Sequence, residues 1–184
     1  LNETVMVYGM CRKMSWIGSY AYQKQFGLDT INLILSNMYG PSDHFDEERS
    51  HALGAIIKKI AEAKQQNIPS VSIWGTGKPV REWLYVDDGA EAMIRSLDIK
   101  PHMDIINVGL GNGISISELA TKIKKLLGYK GNLIFDKSKP DGALYKTVDG
   151  SRGAEILKWE PTIELEIGLR KTVAWYLKSE KKNA

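Results

Sequence analysis

Apolar positions along this chain recur first with a helical period and then in short blocks. Over residues 7–26 no proline intervenes, and Met10, Met14, Ile17 and Tyr20 fall three and four apart before Gly27, which predicts a long helix with one apolar stripe. Residues 30–35 are few and rich in branched side chains, as in a buried strand, and residues 36–41, ending in Gly40-Pro41, predict a turn. A second helix is predicted from about His51 to Gln66, with Leu53, Ile56, Ile57 and Ile60 as its stripe and Lys58, Lys59 and Glu62 off it. Residues 71–74 and 82–86 predict strands on either side of the turn Gly75-Thr76-Gly77-Lys78-Pro79. Asp87 or Asp88 is then expected to cap a helix reaching about Leu97.

The same alternation continues. Residues 105–108 form another short apolar block, followed by Gly109, Gly111 and Gly113, whose spacing lacks the third glycine of a dinucleotide fingerprint and reads as a turn. Ser115 with Glu118 makes a capping box for a helix carrying Leu119, Ile123, Leu126 and Leu127, closed by Gly128. A strand over 133–135, a polar loop over 136–145 and a helix over 165–177 complete the pattern. Strands and helices that alternate throughout predict the α/β class.

Composition narrows the partners. The 184 residues are 43% apolar and 26% charged, enough for one sizeable core or two small ones. The net charge of +3 comes partly from Lys178, Lys181 and Lys182 and from Lys122, Lys124 and Lys125, on helices whose other faces are apolar. Such clusters read as solvated faces, and no nucleic-acid partner is expected. No apolar run is long enough to span a membrane, and Leu1-Asn2-Glu3-Thr4 lacks the start of a signal peptide, so a cytoplasmic protein is expected. One cysteine, Cys11, excludes an internal disulfide and reads as a small packed side chain. His44, His51 and His102 show no metal-ligand spacing with it, and no metal is expected.

Tyr8 and Arg12 are four apart and share a helix face, with Lys13 turned away. A cation beside a phenol stabilises the phenolate and suits it to acid–base work near neutral pH. Taken alone, the two residues read rather as a surface pair with cation–π character, since tyrosine and arginine four apart are common on helices. His51, at a helix start, reads as a backbone-bonding residue or as an acid active at physiological pH.

Larger patterns bring these residues into one frame. Tyr8-Gly9-Met10-Cys11-Arg12-Lys13 opens a long helix, and a strand then runs into Asn37-Met38-Tyr39-Gly40-Pro41. In order there follow Ser50-His51, Trp74-Gly75-Thr76-Gly77 with Arg81-Glu82, Tyr85-Val86-Asp87-Asp88, Ile106-Asn107-Val108-Gly109, and Phe135-Asp136 with Ser138-Lys139-Pro140-Asp141-Gly142. From Tyr8 onward the chain resembles the extended short-chain dehydrogenases and epimerases, and within them the GDP-L-fucose synthase family. The resemblance implies the last elements of a Rossmann-like doubly wound sheet over 1–50 and a smaller α/β substrate-binding domain over 51–184, some of whose segments return to the sheet. It also implies 3,5-epimerisation and NADPH-dependent 4-keto reduction of GDP-4-keto-6-deoxymannose, with NADP(H) as cofactor, a GDP-sugar as substrate and a homodimer as the assembly.

By the same resemblance Tyr8 is the proton donor to the 4-keto oxygen, and His51 is an acid in epimerisation that lies near the cofactor. Arg12 stands where the family has a lysine that steadies the phenolate and bonds the nicotinamide ribose; its planar fork keeps the charge but not the shape. Leu35, Ser36, Asn37 and Met38 match the segment lining the nicotinamide. Lys59, Trp74, Arg81 and Asp141 match the positions that hold the sugar nucleotide: cations for the diphosphate, a flat apolar surface, and an acceptor for hydroxyls. A solvated helix lysine remains open for Lys59, and core burial for Trp74. The family's glycine-rich βαβ unit, with the serine and cysteine that complete its site, has no counterpart ahead of Tyr8. The isolated chain is therefore expected to be a C-terminal portion, inactive as an oxidoreductase and at most a weak binder of GDP-sugar. A related nucleotide-sugar epimerase or reductase, or a noncatalytic sugar-nucleotide-binding module, are the alternatives.

Overall fold

A computed structural model describes residues 6–46, 50–100 and 105–183, the side chains of 181–183 excepted; His102 and the side chains of Lys181 and Lys182 lie outside that set. Helix α1 (Met6–Phe26) forms as its periodicity predicts and stops at Gly27, whose φ of 68° only glycine adopts freely. None of its side chains is buried. Met10, Met14, Ile17 and Tyr20 line up but face solvent, and Cys11 is exposed rather than packed as a small apolar group.

Strand β1 (Asn32–Leu35) is followed at once by β2 (Asn37–Tyr39), where a turn was expected. Tertiary pairing overrides the local turn chemistry: β2 lies parallel to β5 (Trp83–Tyr85), which satisfies its backbone, and the turn is delayed to Pro41 and Ser42. Strand β1 pairs in parallel with β6 (Ile105–Val108). Helix α2 (Ala52–Gln65) leads to β3 (Ser70–Trp74), which runs parallel to β8 (Asn132–Asp136), in register from Ser70↔Asn132 to Trp74↔Asp136. Between them β4 (Val80–Arg81) sits in a small sheet with β7 (Ile114–Ser115) and β9 (Tyr145–Lys146). The strands flanking the Gly75 to Pro79 turn therefore pair with other partners, not with each other. The segment read as a polar loop over 136–145 begins at the last residue of β8 and ends inside β9.

Two cores result. Leu53, Ile56, Ile57 and Ile60 of α2 pack with Leu119, Ile123 and Leu127 of α4 (Ile116–Leu127), with Leu169, Val173 and Tyr176 of α6 (Leu165–Asn183), and with Val71 and Ile73 of β3. Leu84, Ile106 and Val108 pack with Ala92 of α3 (Val86–Arg95), with Leu157 of α5 (Ser151–Leu157) and with Trp159. The capping box of α4 is present: Ser115 Oγ accepts from the Glu118 N–H at 3.2 Å, and the Glu118 carboxylate accepts from the Ser115 N–H at 2.8 Å. Those bonds hold the Glu118 carboxyl below its ordinary range.

Helix α3 begins differently from expectation. Its N-cap is Tyr85, in extended backbone and without a side-chain cap, because the helix follows β5 directly and puts Asp87 and Asp88 inside the first turn. It ends at Arg95, and a 3-10 turn covers Ser96–Asp98. Asp88, only 5% exposed, accepts the Thr162 N–H, the Thr162 hydroxyl and the Ile163 N–H, each at 3.0 Å. It thereby ties α3 to the approach to α6. Asp88→Ala strands both N–H groups, and urea unfolding is expected to show a loss of about 2 kcal/mol; a change within the error of the extrapolation would reduce the tie to an incidental contact.

Candidate functional site

Parallel strands in register deliver the loops that follow them side by side. Beyond Trp74 and Asp136 the chains of β3 and β8 stay joined by one more bond, Gly75 N–H to Asp136 O at 3.0 Å, and then diverge as residues 75–79 and 137–144. Trp74 is 65% exposed, so the core-burial reading does not hold for it. The ammonium groups of Lys59, from α2, and Lys139, from the second loop, lie 5.3 and 5.6 Å from its ring centroid. Lys59 is thus drawn to an aromatic surface instead of extending freely into water.

Asp141 meets the first loop. Its Oδ1 accepts the Thr76 N–H at 2.6 Å and its Oδ2 the Thr76 hydroxyl at 2.7 Å, and these bonds hold its carboxyl below the ordinary carboxylate range. Gly75 has φ 84°, and a Cβ there would collide with Asp141 Oδ1. Arg81, on β4, donates from Nη1 to the Val80 carbonyl at 2.8 Å and from Nη2 to the Asp141 carbonyl at 3.4 Å. Partial burial pulls its pKa down and the neighbouring Asp141 charge pushes it up. An indole, two ammoniums, a guanidinium and a carboxylate therefore gather where β3, β4 and β8 end.

The other sequence-derived candidates occupy separate places. Tyr8 is 65% exposed, with the Arg12 guanidinium carbon 4.9 Å from its ring centroid, over the ring. That is the cation–π geometry of the pair. His51 is the exposed N-cap residue of α2; its carbonyl accepts the Ala55 N–H at 3.1 Å, and its side chain makes no capping bond. Leu35 and Met38 pack against the second core, and the Asn37 amide donates to the Glu82 carbonyl at 3.1 Å. Ser36 donates its N–H to Val108 O at 3.0 Å, but its hydroxyl is buried without a partner. An orphaned hydroxyl at a strand junction fits a polar group arriving there, as the carboxamide of a nicotinamide does.

Sequence reasoning passed over Glu82 and Thr76. Glu82 is 1% exposed, and its carboxylate accepts the N–H groups of Leu110 and of Val148, the latter at 2.7 Å. A charged residue entering the apolar run Trp83-Leu84-Tyr85 was the available signal. Among the described residues there is no group of three or more His, Cys, Asp or Glu that could hold a metal ion, and no helix long and apolar enough to cross a membrane.

An α/β chain whose parallel strands end at such a cluster is Rossmann-like in class. Residues 3–109, more than half of the chain, match the model of the NAD dependent epimerase/dehydratase family, and the chain belongs to that family. It is similar to the probable GDP-L-fucose synthase 1 of Oryza sativa subsp. japonica, at 43% identity over 159 residues, 86% of this chain and 48% of that protein. It is likewise similar to the GDP-L-fucose synthase of Escherichia coli K12, at 40% identity, over 87% of this chain and 52% of that protein. Among solved structures, a GDP-L-fucose synthetase from Naegleria fowleri bound to NADP superposes with a TM-score of 0.84 at 26% identity, over 92% of this chain and 52% of that one. The chain spans about half the length of the curated relatives it matches.

Proposed function

We propose that these residues form the tyrosine helix and the sugar-nucleotide pocket of a GDP-L-fucose synthase, which epimerises GDP-4-keto-6-deoxymannose at C3 and C5 and reduces its 4-keto group. The observation that carries this reading is the convergence of Lys59, Trp74, Arg81 and Asp141 from four separate stretches of sequence onto one strand-end cluster, in a chain similar to proteins of that name. Residues 1–50 are assigned to the cofactor-binding domain and 51–184 to the substrate domain. Arg81 and Lys59 neutralise the diphosphate, Arg81 through its fork and Lys59 as a point charge. Trp74 supplies the flat face, and the outward lone pairs of Asp141 accept hydroxyls.

The Ser36 hydroxyl and the backbone of residues 35–38 would hold part of NADPH, which when bound would supply the hydride. Tyr8 gives its phenolic proton to the 4-keto oxygen, and Arg12 keeps a positive charge over the tyrosine ring. His51, its imidazole uncommitted to capping, returns a proton to carbon during epimerisation. The uncovered apolar stripe of α1 favours pairing with a second copy into a homodimer, and the cytoplasm is the compartment this reading implies.

The test is calorimetric titration with GDP against UDP. GDP is expected to bind and UDP to bind more weakly. Arg81→Ala is expected to weaken GDP binding about tenfold or more, as loss of charge-assisted bonds to phosphate does. Equal affinity for both nucleotides favours the related nucleotide-sugar enzymes, and no binding to either sinks the pocket.

A further inference from the structure

We propose that Thr76 is a positioning residue of this pocket: it clasps Asp141 and sets the loop after β8, and through the Asp141 main chain the side of Arg81, before any ligand arrives. The proposal rests on the sugar-nucleotide reading above and concerns a residue to which that reading gives no role.

Thr76 engages both oxygens of Asp141, by main-chain N–H on one and hydroxyl on the other. Two bonds from one residue fix the plane of a carboxylate, where a single bond would let it swivel. The hydroxyl is itself constrained, since it accepts the Lys78 N–H at 3.2 Å while donating to Asp141. One proton given and one lone pair occupied leave it no rotational freedom.

The backbone around the clasp is shaped to permit it. Gly75, at φ 84°, has no room for a Cβ beside Asp141 Oδ1, and Gly142, at φ 68°, lets the second loop turn where Arg81 Nη2 passes 3.6 Å from the position of its absent Cβ. The Arg81 Nη2 bond to Asp141 O continues the chain of contacts from Thr76 to the guanidinium. The same loop carries Lys139 to Trp74.

Nothing in the two bonds exhausts Asp141. A carboxylate offers about four lone-pair sites, of which Thr76 fills one on each oxygen, so a ligand hydroxyl can be received without breaking the clasp. A polar loop of this length that had to be ordered by the ligand would charge that entropy to affinity; a loop already tied does not. Since the bonds depress the Asp141 pKa, the clasp is complete above the ordinary carboxyl value of 3.8 and is lost as pH falls through the lowered one.

Thr76→Val keeps the shape and the N–H and removes the hydroxyl; Thr76→Ser keeps both donors. Affinity for GDP-mannose, chosen for its ribose and hexose hydroxyls, is expected to fall about tenfold in the valine variant and to stay within about twofold in the serine variant. The melting temperature is expected to fall slightly in the valine variant, since a carboxyl held below its ordinary value contributes to folding, and to be unchanged in the serine variant. The Asp141 carboxyl, followed by carbon NMR, is expected to titrate at higher pH in the valine variant only. Wild-type chain that binds neither GDP nor GDP-mannose overturns the sugar-nucleotide reading and this role with it. Binding by wild type and Thr76→Val alike overturns the clasp alone. Parallel loss of affinity and melting temperature in both variants assigns Thr76 to the fold and overturns its positioning role.

Discussion

Tyr8→Phe in the full protein, supplied with NADPH and GDP-4-keto-6-deoxymannose, is expected to slow 4-keto reduction by about 10²- to 10⁴-fold, the range typical of losing a general acid. GDP affinity is expected to stay near the wild-type value. The separation follows from placement: Tyr8 is on α1, whereas Lys59, Trp74, Arg81 and Asp141 cluster at the ends of β3, β4 and β8. Phenylalanine keeps the ring over which Arg12 is stacked, and α1 buries none of its side chains, so the helix loses no packing. The missing atom is then only the proton-bearing oxygen. Single-turnover loss of NADPH absorbance measures the step directly. A variant that reduces at the wild-type rate removes Tyr8 from the chemistry and leaves the tyrosine–arginine pair as a surface contact.

What the chain discloses of itself follows the range of the forces involved. Local signals read correctly: the capping box of Ser115 and Glu118, the αL glycines at 27 and 128, and the stripe of α2 all depend on neighbours within a few residues. Features set by distant partners did not. Strand β2 exists because β5 pairs with it, against turn-forming residues of its own. Helix α5 is short, and its Gly153 lies against the Asn107 carbonyl, so closeness of approach rather than periodicity places it. Asp88 looked like a cap by type and spacing, but its donors are 74 and 75 residues away.

The site divides in the same way. Lys59, Trp74, Arg81 and Asp141 are singled out in the sequence by resemblance to a known pattern, and the structure joins them and Lys139 by three pairwise contacts. Thr76 and Glu82 were not, since a threonine in a glycine turn and a glutamate at a strand start declare nothing until the groups they hold, 65 and 66 residues onward, are brought to them.

Glu82→Ala is expected to destabilise the chain by about 3 kcal/mol, the largest effect foreseen for a single residue outside the hydrophobic cores. The carboxylate gathers N–H groups from two loops, those of Leu110 and Val148, and at 1% exposure no bulk water replaces it. Gly109 packs so closely that a Cβ would strike Glu82 Oε1, so the pocket around the carboxylate cannot collapse easily when it is emptied. Glu82→Gln keeps one acceptor but turns an NH2 toward a backbone donor, and half the loss is expected. Because Arg81 precedes Glu82 and the Glu82 carbonyl takes the Asn37 amide, the same residue braces both the strand that carries Arg81 and the start of β2. Urea unfolding with a constant slope measures the first consequence, and GDP affinity of the glutamine variant, still folded, measures the second. Stability within about 1 kcal/mol of wild type in the alanine variant would mean that water enters and satisfies both donors, and the brace would then lie in the strand pairing itself, not in the carboxylate.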